Sequence, residues 1–125
     1  MKKLNNKGFS LVELIIVIAI MVILVVVIAP QYTKFVNNGK ISADVQTADE
    51  IAVAINVAIA EGKTVSISGT TVTNCPNLAA LPTSRFNETS WVVDFDAIEG
   101  VKSIELAGSE IWPDADAYKT AKGYK

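Results

Sequence analysis

Residues 7–30 read K-G-F-S-L-V-E-L-I-I-V-I-A-I-M-V-I-L-V-V-V-I-A-P, and this stretch decides the reading of the chain. From Leu14 to Ala29 no side chain is polar, and extending back to Phe9 adds only Ser10 and Glu13. A helix of ~21 residues at ~1.5 Å rise is ~31 Å long, which matches the ~30 Å hydrocarbon core of a bilayer. Much of the run is Val and Ile, whose branching at Cβ disfavours a helix in water. In lipid that preference loses, because a lone segment satisfies its backbone amides only as a helix. Lys2, Lys3 and Lys7 precede the run and Lys34 is the first cation after it, so the N-terminus is expected to stay cytoplasmic and the rest to be exported.

Two ordinary explanations compete for such a segment. A cleavable secretory signal has an apolar core of ~7–15 residues followed by small residues at the cut. Val27-Ile28-Ala29 imitates such a site, but Pro30 would follow the scissile bond directly and hinder a protease. A plain single-span anchor leaves unexplained a carboxylate inside the span and a glycine just before it.

Residues Lys7 to Leu14, K-G-F-S-L-V-E-L, closely resemble the processing site of type IV prepilins. In that family a short basic leader ends in Gly, an N-methylated Phe usually follows, and a Glu lies five residues into the processed chain. The resemblance makes Gly8 the last leader residue, Phe9 the new N-terminus and Glu13 the acidic position. Pro30 matches the family's proline at the base of the exposed helix, and the likeness covers roughly the first fifty residues. It implies an α+β pilin fold, in which a long N-terminal helix packs its C-terminal half against a small antiparallel sheet.

Physical chemistry supports these roles separately. Gly8 has no side chain, so a membrane peptidase can approach its carbonyl closely, although a glycine at a membrane edge also has a purely structural reading. An acid inside a span costs ~2.5–3.5 kcal/mol at its centre and is usually paired or functional. Near the end of the span Glu13 can instead snorkel to the interface. Cleavage after Gly8 creates an α-amino group on Phe9, four residues before Glu13 and near it along a helix. In an apolar fibre core an unpaired charge is costly and a paired one recovers most of that loss. Glu13 is therefore expected to select the register at which it meets a Phe9 amine, its own or a neighbour's.

Beyond Pro30 the pattern becomes amphipathic: Ile41, Val45, Ala48, Ala52, Ile55 and Ile59 recur at steps of three or four, with Asp44, Gln46, Thr47 and Glu50 read as mostly off the stripe. The helix is expected to end at Glu61-Gly62, with Gly as the cap. Pro30 predicts a kink between Val26 and Pro30, and Asn37-Asn38-Gly39 is a second weak point. Pilins usually carry a Gly midway through the apolar run, where this chain has Val22. Filaments of the family often lose helical order between that Gly and the proline, so any such stretch here is expected within about Ile23 to Pro30.

The remainder reads as a β-containing head. Thr64–Ser68 and Thr71–Thr73 flank Gly69-Thr70 as a small hairpin or irregular loop, Trp91–Phe95 and Val101–Leu106 are the best strands, and Ile111-Trp112-Pro113 offers an edge strand. Trp91, Phe95, Ile104, Leu106 and Trp112 are expected to cover the helical stripe, and Asp114–Lys125 reads as a polar, loosely ordered tail. The expected segments are thus a leader (1–8), a transmembrane and assembly helix (9–29), an amphipathic continuation (30–62) and the head with its tail (63–125).

Net charge is −2, and the three leading lysines contribute +3, so the side chains after Gly8 carry −5. No basic patch argues for nucleic acid, and the absence of His removes the usual proton shuttle and commonest metal ligand. Cys75 is the one cysteine, which rules out an intramolecular disulfide and leaves a small buried hydrophobe or a reactive thiol. Asp94, Asp96 and Glu99, or Asp114 and Asp116, match no calcium-loop signature and read as solvated acids. Lys119, Lys122 and Lys125 read as a charged soluble tail. No catalytic constellation, metal site or cofactor is expected.

The expected function is structural: a precursor in the cytoplasmic membrane, trimmed and polymerised with its copies into an extracellular fibre. The resemblance implies adhesion, twitching motility or DNA uptake for the fibre. It also implies a prepilin peptidase that methylates the new amine, and an assembly ATPase acting through a membrane platform. A pseudopilin of a type II secretion or competence system shares the same first residues, and a membrane-anchored binding module is the rival of another class. The mass of the N-terminal peptide from cells separates these: a chain beginning at methylated Phe9 is expected, and one retaining Met1–Gly8 excludes the processing.

Overall fold

The computed structural model describes Gly8 and residues 10–124. Its first helix, α1, spans Leu11–Ala60, and the chain divides into two compact units, Met1–Phe35 and Val36–Lys125. In the first unit the chain is helical from Leu11 onward, and the assignment continues without a break through Ile23–Pro30. Pro30 has no N–H for the Val26 carbonyl. Three residues on, the Thr33 hydroxyl donates to the Pro30 carbonyl at 3.0 Å. The large apolar side chains from Leu11 to Ile28 are each 46–73 % exposed, so none of the described residues covers them.

In the second unit the remaining turns of α1 bury Ile41, Asp44, Ala48, Ile51, Ala52, Ala54, Ile55 and Ala58. The helical assignment runs through Asn37-Asn38-Gly39, and the Asn37 amide donates to the Lys122 carbonyl at 3.0 Å. The helix ends on Gly62, whose φ of +81° suits a residue without Cβ. There the Lys63 amide bonds the Ala58 carbonyl at 3.0 Å and the Gly62 amide bonds the Ile59 carbonyl at 2.9 Å, closing the last turn as a Schellman cap.

A two-stranded hairpin follows, β1 (Ser66–Ser68) against β2 (Thr71–Thr73), turning at Gly69-Thr70. β3 (Trp91–Asp96), β4 (Gly100–Leu106) and β5 (Ser109–Trp112) form an antiparallel meander in the order β3-β4-β5. One core joins helix and strands: Ile41, Ile51 and Ile55 meet Trp91, Ile104, Leu106 and Ile111, with Phe95 and Trp112 packed at its margin. Trp91 also donates its indole N–H to the Pro82 carbonyl at 2.6 Å. At the start of β4 the Asn56 side chain accepts from the Val101 amide at 2.8 Å. A Cβ at Gly100 would lie 2.4 Å from that Asn56 oxygen, so glycine is required there by space as well as by its φ of +91°. Cys75 is buried, with its sulfur 3.4 Å from the Ala54 carbonyl.

Three expectations for this unit need correction. Asp44 is not off the helical stripe; it is 1 % exposed and lies at its centre. Its Oδ1 accepts from the Arg85 amide at 2.8 Å and its Oδ2 from the Tyr118 hydroxyl at 2.5 Å. Nor is the segment after Asp114 a loose tail: it forms α2 (Asp116–Ala121), which seats the fully buried Tyr118. Lys122, read as a solvated charge, instead pairs with Glu88 and stands over the Phe86 ring, 5.1 Å from its centroid. Beside it Ser84, also buried, accepts from the Phe86 and Glu88 amides at 3.0 Å each.

Burial first, and the Asp44 carboxyl second, push the Tyr118 hydroxyl well above the usual tyrosine range. Unfolding returns it to a pKa of about 10, so above that pH the unfolded chain releases the proton first and stability falls. Below about pH 10 the contribution is fully present. Tyr118→Phe leaves a buried carboxylate oxygen without its donor and is expected to cost about 1–3 kcal/mol. Urea titration of the full chain in detergent, read by the fluorescence of Trp91 and Trp112, checks this. The variant should unfold earlier at neutral pH and lose less stability than the parent above pH 10.

Candidate functional site

The segment singled out by the sequence lies at the start of α1. Gly8 is exposed, and a Cβ built on it meets nothing within 4 Å, so no contact within the described fold demands glycine there. Phe9 and the lysines of the leader fall outside the described residues. Ser10 caps the helix: its Oγ accepts from the Glu13 amide at 3.2 Å, and its carbonyl accepts from the Leu14 amide at 3.2 Å. Counting from this cap, Leu11, Val12 and Glu13 are the first three helical residues, so Glu13 stands where the partial positive charge of the helix end is greatest. Its side chain is exposed, as are those of its apolar neighbours Val12 and Leu14.

Sequence reasoning did not use the spacing of Ser10 and Glu13. S-x-x-E immediately before an apolar run is a capping-box signature, which fixes where the first turn begins. Glu13 thus has a local reason to be acidic as well as a reason connected with assembly. Pro30 is 17 residues further along the same helix, roughly 25 Å away at ~1.5 Å per residue, so it belongs to a separate site. Among the described residues no group of three or more His, Cys, Asp or Glu side chains converges as a metal would need. Asp96, from one of the acidic clusters, accepts from the amides of Ile98 at 2.7 Å and Glu99 at 3.3 Å. Those two bonds hold its carboxyl below the usual range and tie it to its own turn.

α1 is the one described helix long and apolar enough to cross a membrane, with its apolar window wholly unburied. Against this geometry, a family model described as the prokaryotic N-terminal methylation motif matches residues 3–29, which include Gly8, Phe9 and Glu13. The chain is 32 % identical over 92 residues to a type IV major fimbrial protein FimA of Dichelobacter nodosus, covering 72 % of this chain and 57 % of that one. It is 38 % identical over 65 residues to a fimbrial protein of Pseudomonas aeruginosa, covering 52 % of this chain and 42 % of the relative. These findings support a type IV pilin.

The α+β arrangement of a long N-terminal helix with antiparallel sheets of two and three strands is consistent with the pilin fold. The chain spans about half the length of the curated relatives it matches. No solved structure matches it.

Proposed function

We infer that this chain is the structural subunit of a type IV pilus, held in the membrane by its apolar helix before assembly and packed through the same helix in the fibre. The observation that carries the reading is the uncovered apolar surface from Leu11 to Ile28, lying within the matched methylation motif. The similarity to fimbrial proteins supports polymerisation with its own copies. It also supports extracellular localisation after assembly, while the lysines ahead of the apolar run favour a precursor with its N-terminus inside.

Processing, in this reading, hydrolyses the Gly8–Phe9 peptide bond. Water supplies the hydroxyl to the Gly8 carboxylate and a proton to the Phe9 amine, which the prepilin peptidase then methylates. Glu13 lies four residues, about one helical turn, from that amine, and its carboxylate is the nearest acid in sequence able to neutralise it. The assembly ATPase and its platform lift the subunit out of lipid, and Pro30 serves the helix where it leaves the apolar run. No cofactor resident in this chain and no catalytic residue enters this scheme.

The two reasons for an acid at Glu13 make different demands. Glu13→Gln keeps a side chain able to complete the cap but removes the charge, whereas Ser10→Ala removes the cap, worth about 1 kcal/mol, and keeps the charge. Shearing cells and weighing released protein is expected to give sharply fewer fibres for Glu13→Gln and Glu13→Val, with both still inserted and cleaved, and a milder loss for Ser10→Ala. Normal fibre numbers from Glu13→Gln would remove the role of the charge and leave only the cap.

A further inference from the structure

The second unit carries two surfaces of opposite character that the assembly scheme does not use. On α1, Asp49, Glu50, Val53 and Val57 line an open groove of about 370 Å³ together with Gln46 and Asn77. Val53 is 61 % and Val57 40 % exposed, two valines one turn apart on the side of the helix away from the core. Neither Asp49 nor Glu50 is in an ion pair among the described residues; only the Gln46 amide reaches Glu50, at 3.4 Å.

The other surface covers Asp44. At about 100° per residue, Asp49 and Glu50 lie roughly 140° and 240° around the helix axis from Asp44, so the two surfaces are on opposite flanks of α1. The Arg85 amide is fixed by Asp44, while the Arg85 side chain is exposed and in no ion pair among the described residues. Next to it, exposed Lys40 stands 5.6 Å from the centroid of the Phe86 ring. Lys122 nearby is neutralised by Glu88. Even with buried Asp44 counted, this flank is positive by one formal charge, and the groove is negative by two.

We propose that the groove between Asp49 and Val57 receives the Arg85–Phe86 loop of a second copy of this chain. The Arg85 guanidinium meets Glu50 and Asp49, and its aliphatic stem with the half-exposed Phe86 covers Val53 and Val57. Charge complementarity selects a second copy as the occupant, because the same molecule supplies both signs on opposite flanks. A contact between two different patches is heterologous. Where its rotation does not close a ring, it repeats without limit and builds a fibre rather than a dimer. The inference rests on the polymerisation proposed above and adds which faces of neighbouring heads meet.

Charge reversal tests it in cells expressing the full chain. Arg85→Glu and Glu50→Arg are each expected to lower shear-released fibre by about tenfold or more through like-charge contact, and the double variant to recover most of the yield. Normal fibres from both single variants, or no recovery in the double, overturn the contact. Because both side chains are exposed, folding is not expected to decide the outcome, and a second measurement is independent of charge. A chain carrying Val57→Cys and Arg85→Cys, sheared as fibres and mildly oxidised, is expected to run as a ladder beyond dimers, with either single substitution giving no ladder. Monomers alone from such fibres also overturn the contact. If the unaltered chain yields no fibres at all, the polymerisation itself has failed, an outcome distinct from intact fibres indifferent to these substitutions.

Discussion

The constraint on which the rest of the structure depends is an apolar helical surface left uncovered by the described residues. Each large side chain between Leu11 and Ile28 gains about 1.5–3 kcal/mol when taken out of water. Sixteen consecutive residues without a polar side chain therefore tie the first unit to an apolar surrounding throughout its existence. Lipid supplies that surrounding and so does a bundle of identical helices. Between these two the hydrophobic effect scarcely discriminates, since lipid tails are as apolar as leucine. The choice falls to packing and to the few polar groups at the ends of the run, and this is the physical basis for the roles proposed for the acid at Glu13 and the missing amide at Pro30.

In the second unit a different polar device holds chain segments together. With a single cysteine, the final helix cannot be tied back by an intramolecular disulfide. Asp44 does that work through Tyr118, 74 residues away in sequence, and through the Arg85 amide, 41 residues away. A buried carboxylate is costly in itself, and its cost is offset here because both oxygens accept hydrogen bonds. Lys122, Glu88 and the Asn37 side chain extend the linkage across the same three segments. The exposed Arg85 side chain is thereby mounted on a fixed backbone, as an interaction surface requires.

Much of the fold was legible because periodicity reports burial. The stripe through Ile41, Ala48, Ala52 and Ile55, the Gly62 cap, the hairpin around Gly69-Thr70 and the strands beginning at Trp91 and near Val101 all follow from spacing and turn chemistry. Asp44 was misread because polarity was taken as a sign of exposure. Yet it stands three residues after Ile41 and four before Ala48, directly in the apolar row, and a buried acid at such a position calls for a partner. That partner could not be named from sequence: Tyr118 lies in a short helix of otherwise polar and alanine residues whose anchoring depends on a contact 74 residues away. The Ser10–Glu13 cap was readable from spacing alone, and was hidden only by the stronger claim that processing makes on the same residues. The groove at Val53 and Val57 was not readable, because spacing says which side of a helix is packed and not whether the far side meets anything.

In the proposed fibre, two kinds of contact divide the work of assembly. Apolar helices confer the tendency to remain together, but smooth runs of Val, Ile and Leu slide past one another at little cost and specify no register. Charges buried among them do the reverse: they add little net stability, because desolvation offsets attraction, yet they penalise every misaligned arrangement by several kcal/mol. A carboxylate at Glu13 opposite a new amine can fix axial position only near the start of the helix. The heads, with side chains exposed to water and salt, need a second set of complementary charges to fix rotation, and ion pairs there are weak singly. Apolar cover from Val53 and Val57 would shield such a pair from solvent and raise its value, which gives two exposed valines on a solvent-facing flank a physical reason to be there.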